Sequence, residues 1–164
     1  MIYPKFFDSK NSLNLFYLSD KFCFLKTLYL KKKLPKVFML SGKKGSGKST
    51  LINHLMYFIF DIKNYDENKN ELSSKSSFYN QFLENINPNI IYLSGSDFKN
   101  VKIEDIRILK TKIFKTTISS NPRFIIFDDI ELFNNNSLNA LLKIIEEPSK
   151  NNYFVLINNK SKPL

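Results

Sequence analysis

The sequence is poor in residues that fix covalent or turn-rich architectures. It holds one cysteine (Cys23), one alanine, four glycines and two arginines among 164 residues. A single thiol excludes an internal disulfide and a cysteine-rich zinc site, and it suits a reducing compartment. Two arginines against 23 lysines change the meaning of the net charge of +10. Arginine's planar fork reads bases and phosphates two acceptors at a time, so scattered lysines are weak ground for a nucleic-acid binder. A solvated lysine-rich surface accounts for the charge. The abundant Lys, Asn, Ile and Phe share AT-rich codons, and the scarce Gly, Ala, Arg and Pro share GC-rich ones. Codon bias therefore explains much of the composition. The opening MIYPKFFDSK has no apolar signal core. The longest apolar stretch, Leu51 to Phe60, contains Asn53 and His54 and is too short for a bilayer. A soluble cytoplasmic protein of one domain is expected.

Hydrophobic spacing gives a coarse organisation. Leu15, Leu18, Phe22, Leu25 and Tyr29 recur at helical intervals within Leu13 to Leu30. Cys23 lies in that segment, where a buried inert thiol is the default. Val37 to Leu40 is a short apolar run that suits a buried strand, and Ser49 to Phe60 reads as a helix. His54, in that helix, reads as a packed or surface residue. Residues 61–88 are polar, a loop or insert with one short helix near Phe78 to Ile86. Strands are expected at Asn89 to Leu93, Phe124 to Phe127 and Tyr153 to Ile157. Helices are expected at Ile103 to Ile118 and Asn136 to Glu147. The second carries Leu138, Leu141, Leu142 and Ile145 on one face and is closed by Pro148. Strands alternating with helices imply a parallel sheet covered on both faces.

Three of the four glycines fall in one short segment. Gly42-Lys43-Lys44-Gly45-Ser46-Gly47-Lys48-Ser49 matches G-x-x-x-x-G-K-[ST] at every fixed position, after a strand and before a helix. Glycines let backbone N–H groups turn in against phosphate oxygens, and the helix start adds free N–H groups and a positive dipole end. Lys48 would reach the β- and γ-phosphates. The Ser49 hydroxyl would ligand Mg²⁺, which prefers oxygen. A magnesium-holding carboxylate is also needed, and the run Phe124 to Phe127 ends in Asp128 and Asp129. Asp128 suits the metal role. Asp129 is the catalytic candidate, one methylene shorter than the glutamate that many hydrolysing phosphate-loop ATPases carry.

The acid pair leads through Ile130-Glu131 to Asn139-Ala140-Leu141-Leu142-Lys143-Ile144-Ile145-Glu146-Glu147-Pro148 and then Tyr153 to Asn158. With Ile106-Arg107 and Leu109 upstream, this run resembles the clamp-loader ATPases of the AAA+ class over about Leu13 to Leu164. Within that class it is most similar to the delta-prime type of bacterial DNA polymerase III. The hydrolysing tau/gamma type is similar too, but usually carries a four-cysteine zinc module where residues 61–87 have no cysteine, and favours Asp-Glu at the acid pair.

The resemblance implies an AAA+ P-loop NTPase fold, with residues 1–164 as one nucleotide-binding module. It implies ATP and Mg²⁺ as cofactors, with Gly42, Gly45, Ser46, Gly47, Lys48, Ser49, Thr50 and Asn158 at the nucleotide, Asn158 being the polar sensor of the γ-phosphate. Ser49 and Asp128 would take the metal, and intrinsic ATPase would be weak or absent. Implied partners are other clamp-loader subunits and, indirectly, the sliding clamp and primed DNA, with no membrane and no zinc. The family continues with a Ser-Arg-Cys segment, a lid and a collar. This chain is expected to be incomplete before them, because it stops at Lys162-Pro163-Leu164. A hydrolysing tau/gamma-like subunit and another P-loop nucleotide enzyme remain as alternatives.

Overall fold

The computed structural model describes residues 13–84, 86–95, 113, 121–146, 148 and 151–160. Along the chain its elements are α1 (Ser19–Leu30), β1 (Val37–Ser41), α2 (Lys48–Phe60), β2 (Tyr65–Asp66), β3 (Glu71–Leu72), α3 (Ser77–Leu83), β4 (Ile90–Ser94), β5 (Arg123–Asp128), α4 (Asn135–Ile145) and β6 (Asn152–Asn158). Short 3-10 turns occupy Ile62–Asn64 and Ile130–Leu132. The chain divides into two compact units. One comprises the chain up to Leu34 with Gly45–Asn87, and the other Pro35–Lys44 with the chain from Pro88 onward.

The second unit is built on a four-stranded sheet in the order β1-β6-β5-β4, parallel throughout. Val37 pairs with Phe154, Ile125 with Phe154, and Ile90 with Phe124. Strand β5 is buried at all six positions, the continuous apolar pattern of a parallel strand covered on both faces. Its core joins Leu93, Phe127 and Phe154 of the sheet to Leu141 and Ile144 of α4. This is the α/β architecture that the AAA+ resemblance implies.

Helix α4 begins where Asn134 Oδ1 accepts the Ser137 N–H at 2.9 Å, an N-cap that satisfies an otherwise orphaned donor. Its buried stripe is Ser137, Leu141 and Ile144, with Leu138 and Ile145 partly buried. Leu142, expected inside, is 48% exposed. The expected face was therefore centred about one residue too late. Strand β1 also differs from expectation. It pairs only with β6 in the described sheet, and Met39 is 44% exposed.

In the first unit, residues 13–18 are not helical, and α1 starts only at Ser19. Leu13 and Leu15 instead use their backbones to extend the unexpected β2-β3 hairpin. The Leu72 N–H donates to the Leu13 carbonyl and the Leu15 N–H to the Asn70 carbonyl, both at 3.2 Å. Helix α2 is buried continuously from Leu51 to Phe58, as its nearly all-round apolar character requires. The Phe22 ring of α1 lies 6.2 Å from the His54 ring and 5.6 Å from that of Tyr65. His54 Nδ1 and the Tyr65 hydroxyl share a 2.8 Å hydrogen bond. The single histidine is thus a packed core residue. Cys23 is exposed rather than buried, because Phe22 and Leu25 form the inward stripe of α1.

The helix expected at Ile103 to Ile118 lies outside the described residues apart from Ile113, which is buried in the second unit's core and accepts a 2.9 Å bond from Arg123. No helix among the described residues is long and apolar enough to cross a membrane.

Candidate functional site

Parallel strands deliver their carboxyl ends to one side of a sheet, where α/β proteins place ligands. Here the register sets Ser94 of β4 beside Asp128 of β5, and Asn158 of β6 beside Ser41 of β1. Each strand end therefore carries a polar residue, with Asn158 and Ser41 one residue beyond the level of Asp128 and Ser94, because Phe127 pairs with Leu156.

Asp128 and Asp129 are each 1% exposed. Hydrogen-bond donors from three elements of the site converge on Asp128, among them Tyr92, the Asp129 backbone and Asn159. The Tyr92 hydroxyl reaches Oδ2 at 2.6 Å, while the Asp129 N–H (2.8 Å) and Asn159 Nδ2 (3.1 Å) reach Oδ1. Burial pushes the Asp128 carboxyl above the usual range, the hydrogen bonds from Tyr92 and the Asp129 backbone oppose that shift, and the neighbouring charge of Asp129 adds to it. Asp129 sits in the left-handed region with φ of 49°. Its Oδ1 accepts from Asn159 Nδ2 at 2.7 Å and lies 3.5 Å from Lys44 Nζ, and its Oδ2 accepts from the Ser94 hydroxyl at 3.4 Å. The Lys44 side chain is largely exposed, so this ion pair contributes little.

On β6, Asn158 is fully buried. Its Oδ1 accepts the Lys160 N–H at 3.0 Å, and its Nδ2 has no hydrogen-bond partner among the described residues. The Gly42 N–H donates to the Asn158 carbonyl at 3.2 Å. The first glycine of the phosphate-loop motif is thus tied to the strand end that carries the unsatisfied amide.

Gly45 to Thr50 belong to the first unit. Gly45 and Gly47 both hold φ of 80°, and Gly47 directly precedes α2. Lys48 is buried, and its Nζ donates to the Ser46 hydroxyl at 3.2 Å. Ser49 and Thr50 are half-buried in the first turn of α2. The left-handed glycines and the helix start form a loop able to accept phosphate oxygens.

A family model described as "DNA polymerase III, delta subunit" matches residues 19–164. The chain belongs to that family. It resembles the "DNA polymerase III subunit delta'" of Buchnera aphidicola subsp. Schizaphis graminum, with 25% identity over 80% of this chain and 39% of the relative. The delta' subunit of Bacillus subtilis is 27% identical over 82% of this chain and 39% of its own length. A "DNA polymerase III subunit gamma" from the same Buchnera is 27% identical over 76% of the chain and 33% of that relative. The chain thus spans about two-fifths of the length of the delta' relatives it matches.

Among the described residues no group of three or more acidic, histidine or cysteine side chains is placed to hold a metal ion; Asp128 offers a single carboxylate, the oxygen ligand type that a hard cation such as Mg²⁺ takes while keeping most of its waters. The Asn158 amide fits an anionic oxygen. Among the expected site residues, Gly42, Asp128, Asp129 and Asn158 lie in the second unit, where Gly42 bonds to Asn158. Asn159, Tyr92, Ser94 and Lys44 were not anticipated. Asn159 was legible in principle, because an Asn pair starts at the last residue of β6 just as the Asp pair starts at the last residue of β5. In a chain with 20 asparagines that signal is easily lost.

Proposed function

We propose that the chain is the nucleotide-binding part of a delta-prime-like subunit of a cytoplasmic clamp loader in bacterial DNA polymerase III. In this reading it binds ATP with Mg²⁺ and works beside other clamp-loader subunits to place a sliding clamp on primed DNA. The loop Gly42 to Ser49 would hold the phosphates, with Lys48 to neutralise them, and in the second unit Asp128 would offer its carboxylate to the metal. Bound Mg²⁺ would offset phosphate charge. Asn158 would donate its amide to a terminal phosphate oxygen. The observation that carries the reading is that a buried amide without a partner sits on the residue to which the loop's first glycine is bonded. Burying such a donor is costly unless an acceptor arrives.

The test is equilibrium binding of a fluorescent ATP analogue with Mg²⁺ to the whole chain. Lys48→Ala is expected to weaken binding at least tenfold while the chain stays folded. A Lys48→Ala variant that binds as tightly as the parent overturns the assignment.

Similarity to gamma subunits supports a second reading, a hydrolysing subunit in which Asp129 orients water. Turnover that disappears in Asp129→Asn would favour it. Asn159, Lys44 and Ser94 already reach Asp129, which argues for a held carboxylate and weak hydrolysis.

A further inference from the structure

Three aromatic rings of the first unit stand in solvent at α1 and just before it. Phe16 is 72% exposed, Tyr17 wholly so and Phe24 63%. The first two sit on a short bulge that one residue pins at both ends. The Asn70 carbonyl accepts the Leu15 N–H at 3.2 Å, and Asn70 Nδ2 donates to the Ser19 hydroxyl at 3.1 Å. Between these two bonds Tyr17 takes the left-handed region, with φ of 57°. A bulky residue is strained there, and folded chains tend to keep such strain where a ligand is gripped.

Cations line the same element. Lys21 and Phe24, three residues apart, are neighbours on the solvent side of α1, and Lys31 continues that stripe two turns later. The helix then closes in a fixed turn. The Lys32 N–H donates to the Tyr29 carbonyl at 2.9 Å and the Lys33 N–H to the Leu28 carbonyl at 2.8 Å, with Lys32 left-handed at φ of 56°. This is the two-bond ending of a Schellman motif. Lys21, Lys31, Lys32 and Lys33 are all exposed, and Asp20 is the one acid of α1. The partial negative charge at a helix C-terminus, about half a unit, accounts for one lysine and not for three.

We propose that the outer face of α1 and the bulge before it form a track for single-stranded nucleic acid. Phe16, Tyr17 and Phe24 stack on bases, and Lys21 with Lys31 to Lys33 pairs with phosphates. Rings interleaved with cations suit a single strand, because every base has a π-face and every phosphate a charge. Lysine is depleted from protein–protein interfaces, which argues against a protein partner. The apolar stripe of α1, Phe22 and Leu25, is already buried in the first unit, so α1 has no continuous apolar face left for a bilayer. The track needs no bound ATP.

The experiment follows the fluorescence anisotropy of a labelled oligothymidylate, about twelve nucleotides long, with the whole chain at several salt concentrations. Tyr17→Ala combined with Phe24→Ala is expected to weaken binding about tenfold and to leave the salt dependence unchanged. Phe24→Tyr, which keeps a ring, is expected to bind as the parent does. Lys31→Ala combined with Lys33→Ala is expected to lower the slope of log affinity against log salt by about 1.4. Asn70→Gly suits the left-handed turn at that residue but deletes the amide, and is expected to weaken binding although every ring remains. Circular dichroism and thermal melts check that each variant is folded.

An unchanged affinity in the double ring variant overturns the track. So does an equal loss in Lys63→Ala combined with Lys75→Ala, two exposed lysines elsewhere in the first unit, which would reduce the effect to net charge. Displacement of the oligonucleotide by saturating MgATP would assign the rings to the nucleotide pocket and also overturns it. Binding to phosphatidylglycerol vesicles without binding to the oligonucleotide replaces the track with a membrane contact.

Discussion

Gly95 approaches Asp129 so closely that a Cβ added to it would lie 2.5 Å from the Asp129 carbonyl oxygen. The same atom would lie 3.0 Å from Leu132 Cβ and 3.1 Å from Phe133 Cδ1, while the Gly95 N–H donates to the Asp128 carbonyl at 2.9 Å. A methyl group therefore meets backbone that cannot swing aside. Gly95→Ala is expected to destabilise the chain by about 2–3 kcal/mol, read as a lower urea midpoint with an unchanged slope. An unchanged midpoint would show that the strand end yields more easily than its packing implies.

Asp128 should shape the pH dependence of stability. Its raised carboxyl keeps a proton in the folded chain that the unfolded chain gives up first. Stability from this group is therefore present at low pH and falls as pH rises from the ordinary value of about 3.9 through the raised one. Asp128→Asn removes that loss. Melting curves at a series of pH values should show a flatter profile for the variant and an advantage that grows from about pH 3 toward neutrality. Parallel profiles would contradict the shift.

Gly47 combines two constraints that a double variant can separate. Its φ of 80° suits glycine, and a Cβ there would lie 2.7 Å from Leu18 Cδ1. Gly47→Ala is expected to cost about 1–3 kcal/mol. Adding Leu18→Ala relieves the contact but leaves the backbone strain. The Gly47→Ala cost, measured by chemical denaturation in the Leu18→Ala background, should shrink without vanishing.

Tyr65→Phe should cost about 1–2 kcal/mol at neutral pH by deleting the bond to buried His54. Burial, followed by the nearby Glu67 and Asp66 charges, pushes the Tyr65 hydroxyl upward. The unfolded chain therefore ionises this tyrosine first, and the parent loses stability as pH rises above about 10. Thermal melts between pH 7 and 11 should find the variant less sensitive over the alkaline part of that range.

The parts of the fold that sequence reading captured are those governed by local period. Strand β5 is a continuous apolar run closed by two acids, and it emerged within one residue at each end. The glycine-rich turn before α2 was legible because Gly45 and Gly47 meet backbone demands that few other residues satisfy. The failures have physical causes. Leu15 and Leu18 keep helical spacing with Phe22, yet the Leu13 and Leu15 backbones are committed to Leu72 and Asn70, more than 50 residues away in the chain. No local pattern encodes such a partner. The stripe of α4 was misplaced because Ser137, a polar residue, takes a fully buried position beside its cap while Leu142 does not. Asn159 carries no local signal, because the carboxylates it bonds, Asp128 and Asp129, lie some thirty residues earlier in the chain.

The pairing of β1 bears on how the protein is made. Val37 to Ser41 hydrogen-bond in the described sheet only to Phe154 to Asn158, and the Gly42 N–H waits for the Asn158 carbonyl. During synthesis the early strand must remain without its partner until nearly all of the remaining described chain has left the ribosome. Contacts of such long sequence separation form late and slowly. The phosphate loop would then be among the first functional segments translated and among the last completed, and a nascent chain arrested before β6 would expose an apolar strand with no mate.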